Sequence, residues 1–279
     1  MEFIFFFMTN DPELALQAEG AGVERIGPDL EIIGKEGRQR NPDSRISKHS
    51  LEDISRIRRV LKKSEVFVRV NPIHAHSEEE IHRAIDLGAQ VLMLPMFRTA
   101  KEVESFVSFV NGQAKTVLLL ETPQAMMRLD EILSVKGIDE VHVGLYDLSI
   151  GLGLQSRFEV LCSELMDGLA QGIRQYNLSY GFGALARPFD STLPIPPDQV
   201  IGEVIRLGAS RASLSRYFFP KRGEVFNFIE EMNRLRERIA YWSSASMEIL
   251  LKNRQQLRNA VRRYREENLT LNLEGVQSL

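Results

Sequence analysis

The chain has 279 residues, of which 43% are hydrophobic, and its formal net charge is -3. This length suits one βα-barrel or two smaller domains, and the charge gives no global reason to expect nucleic acid as a partner. The single cysteine, Cys162, excludes an internal disulfide and a cysteine-rich metal site. The apolar opening MEFIFFFMTN is too short to cross a membrane and lacks the basic start of a signal peptide, so we expect a cytoplasmic protein.

Short apolar runs alternate with longer amphipathic segments along most of the chain, as in βαβ units. The runs predict strands at residues 3–8, 23–26, 66–70, 91–94, 117–120, 141–145, 180–184 and 212–214. The segments between them predict helices at residues 12–19, 50–63, 77–87, 101–111, 124–135, 158–176 and 197–207. Eight strands with helices between them predict an α/β fold of the (β/α)8 TIM-barrel type. A doubly wound open sheet, the alternative, would leave strands unused, and no Gly-x-Gly-x-x-Gly follows the first strand.

Two more amphipathic helices are predicted after the eighth strand, at residues 223–242 and 247–267. The second helix is strongly basic and has an apolar stripe. Two interpretations remain open: the helix packs on a neighbouring subunit, or it lies on its own barrel with a solvated basic face. The sequence thus divides into a barrel domain at 1–222, a helical extension at 223–268 and a flexible tail at 269–279.

Two carboxylates stand where apolar strand segments end. Glu121 closes VLLLE, and Asp147 follows VHVGLY. The carboxyl ends of barrel strands carry the chemistry of such enzymes, and two carboxylates there can hold a divalent cation such as Mg²⁺, Mn²⁺ or Co²⁺. Acids in this position also cap the following helix, and Thr122-Pro123 resembles a helix start. Spacing alone leaves these two interpretations open.

Arg69 lies at the end of an apolar strand segment, where an unpaired charge would be costly. Its planar fork suits a carboxylate or an enolate oxygen, and a structural ion pair is the alternative. Asp29 and Glu31 follow the second strand, and Asp29 is predicted to contact Arg69 or a metal-bound water. Residues 35–40 form a basic loop that either receives an anionic substrate tail or is simply solvated.

Three histidines lie on predicted loops or helix starts: His49, His74 and His76. Histidine titrates near neutrality and is therefore a candidate general base. His49 is alternatively a polar neighbour of a helix cap. The sequence shows no Ser/His/Asp arrangement, no P-loop and no lysine within a strand for a Schiff base.

Four motifs follow one another along the chain: VRVNP, AQVLMLPMFRTAKEV, LLLETPQAMMRLDEIL and GIDEVHVGLYDLSIGLG. Together they resemble the HpcH/HpaI-type family of hydroxy-oxo-acid aldolases and citrate lyase beta subunits, and the resemblance covers residues 20–215 in order. It implies a (β/α)8 barrel that binds Mg²⁺ or a similar ion and makes or breaks a carbon–carbon bond through a pyruvate- or acetyl-type enolate. It also implies a homo-oligomer in which the C-terminal helices pack across subunits.

The resemblance assigns a role to each matching residue. Arg69 would stabilise the enolate, and Glu121 and Asp147 would bind the metal. The backbone around Tyr146 and Asp147 would face the substrate carboxylate.

Two further segments match the family. Gly181 and Gly183 would line the substrate pocket, and Asp29-Leu-Glu31 resembles the Asp-Leu-Glu of citrate lyase-like members.

Two departures concern proton transfer. Ile32 stands where the aldolase branch has a histidine, and Leu119 stands where that branch has a glutamine. The base is then a metal-bound water, another side chain such as His49, or absent. We therefore expect a metal-dependent lyase or aldolase that acts on a 2-oxo acid with an aldehyde or sugar-like acceptor. The alternatives are a citrate lyase-like acyl-CoA lyase or thioesterase, and a barrel that binds a ligand without turnover.

Overall fold

The computed structural model describes residues 3–35, 48–219, 224 and 226–277. Within them, eight parallel strands close in chain order, with the last strand pairing with the first. The strands are β1 (Ile4–Met8), β2 (Arg25–Gly27), β3 (Glu65–Arg69), β4 (Val91–Leu94), β5 (Lys115–Leu120), β6 (Glu140–Gly144), β7 (Ser179–Leu185) and β8 (Arg211–Leu214). The predicted (β/α)8 barrel is therefore confirmed.

Helices surround the barrel and extend beyond it. Those before β7 are α1 (Pro12–Gly20), α2 (Leu51–Val60), α3 (Ser77–Asp86), α4 (Ala100–Val110), α5 (Pro123–Met127), α6 (Leu129–Leu133), α7 (Leu145–Gly151), α8 (Arg157–Leu161) and α9 (Glu164–Gln175). Those after β7 are α10 (Pro197–Arg206), a 3-10 turn (Arg216–Phe218), α11 (Phe228–Ser244) and α12 (Met247–Gln277).

The helices differ from the prediction after β5 and β6. The segments predicted as single helices at 124–135 and 158–176 are each divided into two helices. The short helix α7 is absent from the predicted helices. Its seven residues span too few turns for a helical period to show in the sequence.

The interior of the barrel is charged at the amino-terminal end of the strands. Nη1 and Nη2 of Arg25 donate to the Glu140 carboxylate at 2.5 and 2.8 Å, and Arg211 Nη2 donates to it at 3.0 Å. Arg25 Nε also donates to Glu65 at 2.9 Å. Burial favours the neutral acid, but the two arginines hold the pKa of Glu140 below its usual range. An apolar layer that includes Phe6, Phe67, Met93 and Leu119 lies above this charged layer.

The C-terminal helices pack on their own barrel. Leu250, Leu257 and Val261 of α12 are buried. Arg258 Nε donates to the carbonyl oxygen of Cys162 at 2.9 Å, and Arg254 pairs with Asp167. Of the two interpretations of the basic helix, the structure shows packing on its own barrel. Part of the basic face contacts groups of the protein and is therefore not solvated.

Helix α12 continues to Gln277, beyond the predicted helix end at residue 267. Leucines at 269, 271 and 273 alternate along this segment, so the sequence there lacks a helical period. The predicted start of the extension at Gly223, and residues 278–279, lie outside the described residues. The division into barrel, extension and tail stays a prediction. Among the described residues, no helix is long and apolar enough to span a membrane.

The charged interior layer leads to a stability prediction. Replacing Glu140 by Gln should lower the free energy of unfolding by about 3–5 kcal/mol at pH 7, because two buried arginines lose their counter-charge. Glu65→Gln is the matched control and should cost less, since its side chain is 30% exposed. Urea unfolding measures both.

The same comparison has an expected pH dependence. The depressed pKa of Glu140 means that its contribution is present above the unfolded-state pKa and is lost as pH falls through the folded-state value. The difference between wild type and Glu140→Gln should therefore shrink in acid. A difference that is constant between pH 7 and acid would contradict this account.

Candidate active site

A cavity of about 200 Å³ lies at the carboxyl ends of the strands. Its walls are partly apolar, with Phe6, Met8, Phe67, Met93 and Leu119 among them. The polar side chains that line it include Arg69, Glu121, His142, Tyr146, Asp147, Arg157 and Ser213. The structure thus brings Arg69 and both predicted metal carboxylates to one cavity.

Glu121 directly follows β5 and is only 3% exposed. The Thr122 hydroxyl, and not Glu121, caps α5, because Thr122 Oγ1 accepts from Ala125 N at 3.1 Å. Glu121 Oε1 instead accepts from Met96 N at 3.2 Å. Met96 has φ 57°, a backbone conformation that costs energy for a residue with a side chain and is concentrated at functional sites. The helix-cap interpretation of Glu121 is therefore wrong.

Asp147 lies in the first turn of α7 and lines the cavity beside Glu121. Burial raises the pKa of Glu121 well above its usual range. The negative charges of Asp147 and Glu31 raise it further, against the opposing charge of Arg69. A cation at this position would relieve both the burial cost and the repulsion between the acids.

The donor set of these two acids fits a hard divalent cation. Within the described ranges, no three His, Cys, Asp or Glu residues are grouped so that they could hold an ion. Mg²⁺ in enzymes is commonly bound by one or two carboxylates and completes its coordination with water and substrate. Glu121 and Asp147 match that pattern.

Arg69 is oriented by two acids from the loop after β2. Its Nε and Nη2 donate to Asp29 Oδ1 and Oδ2 at 2.8 and 2.7 Å, and its Nη1 lies 3.2 Å from Glu31 Oε2. Burial opposes the charge, but both acids raise the pKa of the guanidinium above its usual range. The predicted contact between Asp29 and Arg69 is present, and it fixes the direction of the guanidinium.

Asp29 also binds the buried Lys35, whose Nζ lies 2.9 Å from Asp29 Oδ2. Burial favours the neutral acid, but Arg69 and Lys35 together lower the pKa of Asp29 far below its usual value. Asp29 does not line the cavity, so its contacts are those of a positioning residue. Arg38, Gln39 and Arg40 of the predicted basic loop lie outside the described residues.

His49 lies behind Asp29 and does not line the cavity. Its Nδ1 accepts from the backbone N–H of Asp29 at 2.9 Å. Burial lowers the pKa of the imidazole, partly opposed by the charges of Asp29 and Asp53. His49 therefore holds the Asp29 backbone, while its predicted catalytic role stays a prediction. Ile32 is 55% exposed, so the position of the family histidine contributes no side chain to the cavity.

His74 and His76 also lie away from the cavity. His74 Nε2 is 3.0 Å from Glu80 Oε2, and Glu80 in turn binds the backbone and side chain of Asn71. Asn71 Oδ1 accepts from the N–H of Ile32 at 2.9 Å. These residues support the loop after β2.

Of the two predicted glycines, only Gly183 lines the cavity. Gly181 is two residues earlier on β7, where a Cβ would stand 2.2 Å from the carbonyl oxygen of Arg211. Gly181 permits close packing of β7 on β8, and its substrate role stays a prediction.

Among the cavity residues that sequence reasoning missed are two with titratable side chains, His142 and Arg157. His142 is the fully buried imidazole at the cavity floor, 3.5 Å from Ser213 Oγ, and its Nδ1 has no hydrogen-bond partner among the described atoms. Burial and the neighbouring arginines lower its pKa to about 3, so it is neutral. The inward alternation along β6 from Glu140 could have identified His142. Nothing in the local sequence distinguishes Arg157.

The fold and the cavity define a (β/α)8 barrel with an acidic pair and an oriented arginine at the carboxyl ends of its strands. The sequence model of the HpcH/HpaI aldolase/citrate lyase family matches residues 39–165 of the chain, which confirms the predicted family resemblance. One similar relative is 2-keto-3-deoxy-L-rhamnonate aldolase of Escherichia coli (strain K12), at 29% identity over 30% of this chain and 42% of the relative. The chain thus matches less than half of the length of such curated relatives.

Solved structures support the same fold. An HpcH/HpaI aldolase from Desulfitobacterium hafniense DCB-2 is similar with a TM-score of 0.60 at 18% identity, covering 77% of this chain and 86% of the other. The citrate synthase SbnG is similar with a TM-score of 0.58 at 16% identity, covering 77% and 87%. At these identities the likeness shows the fold alone.

The packing of Glu121 on Gly144 leads to a prediction about this site. A Cβ at Gly144 would lie 2.5 Å from Glu121 Oε2, whereas at Gly183 the nearest atom, Ser213 Oγ, would be 3.1 Å away. Gly144→Ala should therefore destabilise by about 1–3 kcal/mol through overpacking, and Gly183→Ala by less. Urea unfolding of the two variants, read beside wild type, measures the difference, and equal costs would contradict the observed packing.

Proposed function

We propose that this protein is a divalent-cation-dependent carbon–carbon lyase or aldolase that acts on a 2-oxo acid through a pyruvate-type enolate. The observation that carries the proposal is that Arg69, Glu121 and Asp147 line one small cavity. The family match supports it, as does the relative whose name specifies a 2-keto acid substrate. Either cleavage or aldol addition can run at such a site.

Glu121 and Asp147 are the residues that would hold Mg²⁺, Mn²⁺ or Co²⁺. Once bound, the cation supplies a positive charge that polarises the 2-oxo acid and favours its enolate. Burial of Glu121 matters here because a low local dielectric strengthens its interaction with a cation.

Arg69 supplies the second positive charge toward the reacting oxygen. Its contacts with Asp29 and Glu31 fix the guanidinium before substrate arrives, so little reorganisation is needed during the reaction. In cleavage, water in the cavity accepts the proton of the hydroxyl group on C4. The bond between C3 and C4 breaks, its electron pair enters the enolate, and C4 becomes the carbonyl carbon of the aldehyde. Addition of a proton at C3 then releases pyruvate and an aldehyde.

Proton transfer is the step for which the described side chains supply no obvious base. The neutral His142, with a pKa of about 3, is a weak proton acceptor at pH 7 but can hydrogen-bond to substrate. Nδ1 of His49 is occupied by the Asp29 backbone. We therefore infer that water in the cavity carries the proton to and from C3.

Exchange of the C3 protons of pyruvate in D₂O tests the proposal directly. Wild type with Mg²⁺ should exchange them, and Glu121→Gln and Asp147→Asn should slow the exchange at least about 100-fold, the scale for loss of a preorganised electrostatic contact. The exposed Glu131→Gln is the matched control and should exchange normally. Proton NMR of pyruvate measures the rate.

Cation binding has a separate readout. Mg²⁺ should raise the Tm of wild type and of Glu131→Gln but not that of Glu121→Gln, because a ligand that binds only the folded state stabilises it. Exchange that is independent of both cation and Glu121 would contradict the mechanism. Turnover of acetyl-CoA without pyruvate exchange would instead support the acyl-CoA lyase or thioesterase. Absence of both reactions would support the non-catalytic barrel.

We also propose that the C-terminal helices form a homo-oligomer. Apolar side chains are exposed near the junction of α11 and α12: Tyr241, Met247, Ile249 and Leu251. Light scattering should give a mass above that of the monomer, and Ile249→Ser with Leu251→Ser should shift it toward the monomer because apolar contact area is lost. A monomeric wild type would contradict this proposal.

A further inference from the structure

A second cavity, of about 460 Å³, adjoins the first. Tyr146 and Arg157 line both cavities, so these two side chains stand at their junction. The second cavity lies among α7, α8, the loop after β7, α10, the 3-10 turn and α12. The larger cavity therefore lies next to the space that is lined by Arg69, Glu121 and Asp147.

The walls of the second cavity combine apolar and aromatic side chains with polar ones that include Arg157 and Arg216. Ile150, Leu154, Phe158 and Val200 contribute apolar surface. Tyr217 from the 3-10 turn and Tyr264 from α12 add aromatic rings. Small-molecule sites commonly combine such walls with a few polar groups that fix orientation.

Arg157 differs from three other arginines of the fold that are largely removed from solvent. Arg25, Arg69 and Arg206 each pair with a carboxylate. Across the described residues, no carboxylate lies within ion-pair distance of Arg157.

Aromatic rings surround this guanidinium instead of acids. Its Cζ lies 4.9 Å from the ring centre of Phe158 and 5.9 Å from that of Tyr217. Burial lowers its pKa. A partly buried cation without an acidic partner gains more from a bound anion than one that is already paired.

We propose that the second cavity is the acceptor subsite, and that it takes an otherwise apolar aldehyde whose anionic group binds Arg157. The word acceptor rests on the proposed aldolase function. The preference of the second cavity for an aldehyde with an anionic group does not depend on that function. The aryl or alkyl body of the aldehyde packs between the apolar wall and Tyr264. The C-terminal helix thereby contributes a side chain to substrate selection.

A pair of matched aldehydes tests the subsite without turnover. 4-Carboxybenzaldehyde and benzaldehyde differ only in the anionic group, and their dissociation constants are measured by ligand-observed NMR with the full chain and no pyruvate. Wild type should bind the carboxylated probe at least about tenfold more tightly, equivalent to about 1.4 kcal/mol. Arg157→Met should remove this preference, and Arg157→Lys should retain part of it.

Two further variants localise the effect. Arg262→Met, an exposed α12 residue outside the cavity lining, removes the same charge and should leave the preference unchanged. Tyr264→Ala should weaken both probes alike because it removes ring contact but no charge. A preference that persists in Arg157→Met, or that Arg262→Met also removes, would overturn the subsite.

Pyruvate exchange separates this inference from the proposed function. Tyr264→Ala, whose side chain lines only the second cavity, should exchange the C3 protons of pyruvate within about twofold of wild type, whereas its aldol addition to 4-carboxybenzaldehyde should fall in step with its loss of binding to that probe. Loss of exchange in Tyr264→Ala would overturn the inference, because the second cavity would then belong to the pyruvate site. Absence of exchange in wild type would refute the proposed function while the binding result still stands.

Discussion

Closure of eight parallel strands brings inward side chains from distant parts of the chain into one interior, and any charge placed there must find a partner. At the amino-terminal end, Glu140 of β6 meets Arg25 of β2 and Arg211 of β8. Above this charged layer, Phe6, Phe67 and neighbouring apolar side chains fill the middle of the barrel. Charge below and apolar packing in the middle leave the carboxyl ends of the strands as the open face.

At the carboxyl ends of the strands, buried charges must likewise find partners. Arg69 is fixed by Asp29 and Glu31, so its direction is set before any ligand binds. Glu121 is held by the N–H of Met96 in a strained backbone conformation, and it lies near Asp147 with its pKa raised. Because Arg69 is already oriented and the acids Glu121 and Asp147 lie close together, this arrangement is suited to bind a cation and an anionic substrate together.

The proton-transfer part of the site departs from the aldolase branch in two places. The side chain of Ile32 points into solvent, and Leu119 adds apolar wall to the cavity. His142 supplies a neutral imidazole at the floor, from a strand where the sequence alone drew no attention to it. We propose that Arg69, Glu121 and Asp147 stabilise the enolate, that water in the cavity transfers the proton, and that the cavity beyond Arg157 selects the acceptor.

The sequence by itself determined the order of the eight strands and the location of Glu121, Asp147 and Arg69 near strand ends, because hydrophobic periodicity and strand boundaries are local properties. Only the tertiary structure decided that Thr122 rather than Glu121 caps a helix. The two residues are adjacent in the sequence, and only the hydrogen bond from Ala125 N shows which side chain is the cap. It also decided the pairing of Arg69 with Asp29 and of Arg25 with Glu140, which are 40 and 115 positions apart in the chain. The helix α12 was predicted, but its place beside Arg157 was not. Such contacts depend on how the barrel closes, and no local pattern of residues carries that information.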